Sequence, residues 1–239
     1  MRHRELDNIK VIGFDADDTL WINEPFFREN EERFCDMLEP YCPRHDILKH
    51  LLTIEIRNME LYGYGVKAFV LSMIETAIEI SGETIPNKMV KKIMEMGKEQ
   101  LEMPVELLPS VRETLKELKQ DYRLVMVTKG DLLDQERKLK KSSLTSMFHH
   151  IEIVSDKREG EYQKIINHLD ILPQEFMMVG NSLKSDVIPA LAIDAFAVHV
   201  PFHTTWIHEM VDVTLTSDKF FEIEKIEDLL PILKIKQPA

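Results

Sequence analysis

Two aspartates one residue apart, Asp15 and Asp17, close a short apolar run and are followed by Asp18 and Thr19. Carboxylates in such a turn can hold a hard cation, attack an electrophilic centre, or carry a proton to and from a leaving oxygen. Farther along, Thr128, Lys129, Lys157 and the pair Asn181 and Asp186 each come just after another short apolar run. A hydroxyl and an ammonium suit the oxygens of a phosphoryl group, and acids from two loops suit Mg²⁺, which keeps water or phosphate among its ligands. Together these groups meet both demands of phosphoryl transfer, positioning and charge neutralisation. In such a site Asp15 attacks phosphorus to give an aspartyl-phosphate, with the metal and Lys157 offsetting the repulsion. Asp17 protonates the leaving oxygen and later deprotonates water.

These residues need a scaffold that gathers them. Ile9 to Phe14 is short and β-branched and reads as a buried strand. Strands are also predicted at Leu124–Val127, Ile151–Val154, Phe176–Val179 and Ala195–Val200, with a last one near Val211 to Thr214. Helical stretches separate them: one opened at Ser110 by a capping box with Glu113, then Gln135 to Lys141, Tyr162 to Leu169 and Asp186 to Ala192, with a final helix at the chain end. Strands alternating with helices imply right-handed crossovers and a doubly wound, Rossmann-like parallel sheet covered on both faces. Ligands bind such sheets outside the carboxyl ends of the strands. The polar clusters therefore converge on one rim.

Between Ile22 and Met103 the pattern is helical instead. Val66, Phe69, Val70, Met73, Ile74, Ala77 and Ile78 recur at three- and four-residue spacing and form one wide apolar face. The expected organisation is an α/β core from residues 1–21 and 104–239, with an all-helical insert at 22–103.

Composition sets the outer limits. The chain has 239 residues, a net charge of −12 and 44% hydrophobic residues, enough to bury a sizeable core. Its acidity argues against nucleic-acid or anionic-membrane partners. Cys35 and Cys42 cannot build a disulfide framework and fit a reducing compartment. The most apolar stretch, Val187 to Phe202, is interrupted by Pro189, Asp194 and His199 and is too short to span a membrane. The opening MRHRELDNIK has no apolar signal region, so the expected location is cytoplasmic.

Ile12-Gly-Phe-Asp-Ala-Asp-Asp-Thr-Leu20 resembles the first motif of the haloacid dehalogenase-like superfamily, an apolar strand followed by Asp-x-Asp-x-Thr. Val127-Thr-Lys-Gly130 is similar to the second motif, Lys157 with Tyr162 to the third, and Val179-Gly-Asn-Ser-Leu-Lys-Ser-Asp186 to the fourth. The four lie in the family order, and the helical insert sits where the family places a cap domain. The resemblance implies Mg²⁺ dependence and, most often, phosphatase activity on a small phosphorylated molecule. It makes Asp15 the nucleophile, Asp17 the acid/base, Thr128 and the Lys129 amide phosphate binders, and Lys157 the charge stabiliser. It places the metal on the Asp15 side chain, the Asp17 backbone carbonyl and the fourth motif, Asn181 with Asp186. Asn181 stands where many members have an aspartate; an amide oxygen can ligate but brings no charge. Asp18 replaces a frequent glycine.

Several readings stay open beside this one. Asn181 is either a ligand or a hydrogen-bonding support. A phosphomutase uses the same aspartyl-phosphate, and a catalytically weak phosphate-binding protein could use the same scaffold. Dehalogenation needs neither Asp17 nor a metal cage. Lys164 rivals Lys157 but falls inside a helix, where a solvent-facing position is expected. Gly63-Tyr-Gly-Val-Lys-Ala68 imitates a dinucleotide fingerprint without the preceding strand that mechanism needs. It reads as a turn, or as a cap loop with Tyr62, Tyr64 and Lys67 turned towards substrate. Arg137, Lys138, Lys140 and Lys141 read as a solvated helix face, and His199, His203 and His208 as ordinary loop histidines.

Overall fold

A computed structural model describes residues 6–233. Six strands form one sheet: β1 (Val11–Phe14), β2 (Arg123–Lys129), β3 (His150–Val154), β4 (Phe176–Gly180), β5 (Phe196–His199) and β6 (Phe220–Glu222). All pairings are parallel, in the order β3-β2-β1-β4-β5-β6. This is the doubly wound α/β architecture, and its topological switch point falls between β1 and β4.

Both faces of the sheet are buried, and the strands show why. Ile12, Phe14, Leu124, Met126, Met177, Val179, Phe196 and Val198 point to one face. Val11, Val125, Val127, Phe176, Met178 and Ala197 point to the other. The alternation has a period of two along each strand, yet both sets are apolar, as a sheet covered twice requires. The first face is covered by α5 (Val111–Leu118), Leu139 of α6 (Leu132–Ser142) and α9 (Leu229–Leu233). Against the second pack Tyr162, Ile165 and Ile166 of α7 (Glu159–His168) and Ala190 of α8 (Ile188–Ala192).

The chain divides into two compact units. The first takes residues up to Ile22, Val105–Lys129 and everything from Glu136 onward, and holds the sheet. The second, Asn23–Pro104 with Gly130–Gln135, contains α1 (Glu24–Leu38), α2 (Arg44–Tyr62), α3 (Val66–Ile80) and α4 (Asn87–Glu102). Its core joins Phe34 and Leu38 of α1, Leu51 of α2, Phe69 and Met73 of α3, and Ile93 and Met96 of α4. Among the described residues no helix is long and apolar enough to cross a membrane.

Three local expectations fail. Val211 to Thr214 is irregular chain, and the sixth strand is Phe220–Glu222. Asp212, Val213 and Thr214 are all exposed, so their alternation has no face to bury. Ser110 does not cap α5 with its side chain: it lies in the left-handed region at φ 61°. A capping serine needs an extended backbone for its hydroxyl to reach the first turn. Asp186 does not begin an α-helix but sits in a π-helical turn, Leu183–Val187, ahead of α8. The chain end beyond Leu233 lies outside the described residues.

Candidate active site

β1 ends at Phe14, so Asp15 is the first residue beyond the carboxyl edge, its amide donating to the Val179 carbonyl at the end of β4. That bond fixes Asp15 at the switch point between β1 and β4. The turn that follows is tight. Asp18 has φ 62°, and its amide donates to the Trp21 carbonyl. Left-handed backbone is tolerated by aspartate better than by most side chains. The turn brings the Thr19 hydroxyl back to Asp15 Oδ2 at 2.9 Å.

The other Asp15 oxygen meets a buried lysine. Lys157 Nζ lies 2.5 Å from Asp15 Oδ1 and 2.6 Å from Asp186 Oδ1. All three side chains are less than a tenth exposed. Burial lowers the Lys157 pKa, but the two carboxylates outweigh it and hold the ammonium above the ordinary lysine range. Burial raises the Asp15 pKa, against the pull of Lys157. The cluster holds two carboxyl groups around one ammonium, so it has acceptor capacity for a further cation.

Asp186 reaches Lys157 because the π-helical turn carries it inward over a glycine. A Cβ on Gly180 would lie 2.2 Å from Asp186 Oδ2, so that carboxylate can pack against the strand end only where no side chain stands. Ser182 donates its amide to the same Oδ2 at 3.0 Å. Both Asp186 oxygens are thereby engaged, one by Lys157 and one by the backbone. Tyr162, fully buried on α7, donates its hydroxyl to the Ser185 carbonyl at 3.0 Å and steadies the turn from below.

Asn181 follows β4 and closes on the same hydroxyl as Asp15. Its amide donates to Thr19 Oγ1 at 3.1 Å, and its side-chain oxygen lies 3.3 Å from that hydroxyl. Asp15 Oδ2 and Asn181 Oδ1 are thus within reach of one small group. A carboxylate and an amide oxygen so placed form an all-oxygen donor set that fits a hard divalent cation.

Asp17 points elsewhere. The Trp21 indole N–H donates to its Oδ1 at 2.7 Å, and Lys138 Nζ donates to Oδ1 and Oδ2 at 2.6 and 2.8 Å. The basic run on α6 is therefore not wholly a solvated face: Lys138 is only 17% exposed and turned to this carboxylate. Lys164, by contrast, faces solvent and pairs with Glu161 on its own helix.

Thr128 is the last residue but one of β2, the neighbour of β1. It is buried, and its hydroxyl oxygen has no hydrogen-bond partner. A buried unpaired hydroxyl costs about 1–3 kcal/mol, which folds rarely tolerate without a use for it. Lys129, next along, sends its ammonium to Ser185 Oγ at 2.8 Å and to Glu209 Oε1 at 2.5 Å. Glu209 Oε2 also accepts from Ser182 and Ser185, each at 2.6 Å. Burial would raise the Glu209 pKa, but Lys129 and the two hydroxyls bring it down to about 2. Glu209, like Lys138, is a residue that the sequence patterns miss. It ends a short 3-10 turn, Ile207–Glu209, between β5 and β6, with no periodicity or strand end to mark it.

Asp15, Lys157, Asp186 and Asn181 thus form one connected cluster, with Thr128 at the adjacent strand end. Asp17 and the Lys129 side chain are held by partners of their own. Lys67 of the helical unit pairs with Asp131 at 2.6 Å.

The family model of haloacid dehalogenase-like hydrolases matches residues 9–194. The chain is 23% identical over 223 residues to the human N-acylneuraminate-9-phosphatase, covering 89% of this chain and 88% of that protein. A crystal structure of a haloacid dehalogenase-like family hydrolase from Xanthomonas campestris is 36% identical, covers 95% of this chain and 91% of its own, and has a TM-score of 0.85. The fold is also that of a 2-haloacid dehalogenase from Pseudomonas syringae, at 18% identity and a TM-score of 0.65 over 96% of this chain and all of that one. The family match covers most of the chain and the Xanthomonas hydrolase is similar along nearly all of it: the protein belongs to the haloacid dehalogenase-like hydrolases.

Proposed function

We propose that this hydrolase is a Mg²⁺-dependent phosphatase that cleaves a small-molecule phosphate monoester through a phosphorylated Asp15. The observation that carries the reading is the Thr128 hydroxyl, buried without a partner at the strand end beside Asp15. A phosphoryl oxygen would give it the hydrogen bond that the protein does not. Lys157 supports the same reading, since a fixed ammonium against the nucleophile offsets the charge of an arriving phosphate.

In this reading Asp15 forms a bond to phosphorus as the ester P–O bond breaks, and Asp17 gives its proton to the departing oxygen. Asp17 then takes a proton from water, whose oxygen attacks phosphorus and releases inorganic phosphate and free Asp15. Asp15, the Asp17 carbonyl and Asn181 are the groups assigned to hold Mg²⁺, with Asp186 serving through Lys157. When bound, the ion neutralises phosphate charge and orients it for in-line attack. The helical unit, 22–103, is assigned the role of a substrate-selecting cap inserted between core segments 1–21 and 104–239. Displacement at a carbon–halogen bond would leave the anchoring of Asp17 by Trp21 and Lys138 without a purpose.

Binding of beryllium fluoride tests this reading directly, because BeF₃⁻ on a carboxylate mimics an acyl phosphate. With Mg²⁺ present, wild type should be thermally stabilised by BeF₃⁻, and Asp15→Asn should show no response. Equal responses from the two proteins, or none from wild type, would count against it.

A further inference from the structure

Away from the Asp15 cluster, three potential metal ligands converge at the opposite end of a β–α unit. His150 and Glu152 are two residues apart on β3, so they share a face of that strand. It is the face that carries Val154 against the α7 side of the core. His168 is the last residue of α7. His150 Nε2 lies 2.9 Å from Glu152 Oε1, and His168 Nδ1 lies 2.8 Å from the same oxygen. The two rings meet edge-on, their centroids 4.7 Å apart. One ligand atom from each residue falls within 4.8 Å of the other two.

We propose that His150, Glu152 and His168 form a second metal site, distinct from the Asp15 cluster, that takes a Zn²⁺-class ion. The donor chemistry sets the class. Two imidazole nitrogens and one carboxylate oxygen are a ligand set of zinc and its transition-metal neighbours, whereas Mg²⁺ prefers oxygen throughout. Each ring needs only its other nitrogen to carry the proton for both lone pairs to face the ion. Three protein ligands leave the remaining coordination positions to water, which the exposure of His168 at 63% allows.

The position gives such an ion a structural consequence. β3 runs from His150 to Val154, the loop beyond it carries Lys157, and α7 returns from Glu159 to His168. An ion held by both ends of this unit fastens strand to helix at the end opposite Lys157. Occupancy therefore stabilises the folded state by mass action and braces the segment that presents the buried lysine.

The test is calorimetric titration of ZnCl₂ into the chelator-stripped, full-length protein, with Mg²⁺ in excess to occupy the hard-oxygen site. One Zn²⁺ should bind per chain and raise Tm. His168→Ala and Glu152→Gln should each weaken that binding at least about tenfold, the range seen when even outer ligands of a metal site are lost. Folding of the His168→Ala protein is checked by its Tm without zinc, which should equal that of wild type because the side chain is exposed. Co²⁺ in place of Zn²⁺ should give a visible spectrum without a thiolate charge-transfer band, which sets this site apart from Cys35 or Cys42. Absence of zinc binding, or binding that His168→Ala leaves unchanged, would overturn the proposal. None of these outcomes depends on the phosphatase reading.

Discussion

Lys138 grips both carboxylate oxygens of Asp17, at 2.6 and 2.8 Å, while the Trp21 indole holds one of them from the other side. Two donors from different elements fix the residue to which the proposed phosphatase chemistry gives the proton transfer. A leaving group as good as p-nitrophenolate hardly needs that proton, whereas an alkoxide does. Lys138→Met should therefore lower kcat on an alkyl phosphate by about tenfold or more, with a smaller loss on p-nitrophenyl phosphate and little change in KM. Steady-state kinetics on the two esters checks it, and equal losses would remove Lys138 from this role.

Thr128 separates activity from stability. Its hydroxyl is buried and unpaired, so replacing it with the isosteric valine removes a polar atom that receives nothing from the fold. Thr128→Val should leave stability unchanged or raise it by about 1 kcal/mol. On the same argument it should lower kcat/KM sharply, because the phosphoryl group loses a hydrogen bond. Denaturant unfolding and a phosphatase assay on one preparation give both numbers.

Much of this site can be read in the sequence, for a reason visible at Asp15, Thr128, Lys157 and Asn181. Each stands at or just beyond the carboxyl end of a short apolar strand, and parallel sheets gather such residues on one rim. Lys138 was hidden because α6 carries several cations in succession, and composition does not say which one turns inward. Glu209 was hidden because its segment has no periodic pattern at all. The misplaced sixth strand has the same origin: alternation at Val211 to Thr214 mimics a half-buried strand, and exposure depends on the tertiary fold rather than on that pattern. Asp186 was legible as a member of the site but not in its attachment, since a π-helical turn and a neighbouring glycine aim it at Lys157.

Glu209 should make stability depend on acid. Its pKa is depressed to about 2 from an ordinary 4.5, so the stability it contributes is complete above the unfolded value and is lost as pH falls through the folded one. Glu209→Gln should cost about 2 kcal/mol at pH 7, and the gap from wild type should close as pH falls from about 4.5 towards 2. Urea unfolding at several pH values measures the gap.

Glu55 should act with the opposite sign. Burial, aided by Glu31 and Glu24, raises its pKa from 4.5 to about 8 in the folded helical unit. The folded state then binds the proton more tightly than the unfolded chain, so stability falls as pH rises from about 4.5 to about 8. Glu55→Gln should be neutral at pH 4.5 and stabilising by about 1 kcal/mol or more at pH 9, since one pKa unit corresponds to about 1.4 kcal/mol. Thermal unfolding at the two pH values distinguishes this from a uniform packing effect.

Steady-state hydrolysis of p-nitrophenyl phosphate with and without Mg²⁺, with Asp15→Asn measured alongside, tests directly whether Asp15 carries phosphatase chemistry. Turnover should require the metal and disappear in the variant. Turnover that survives in Asp15→Asn, or wild type that is inactive with every divalent metal tried, would contradict a phosphatase working through Asp15.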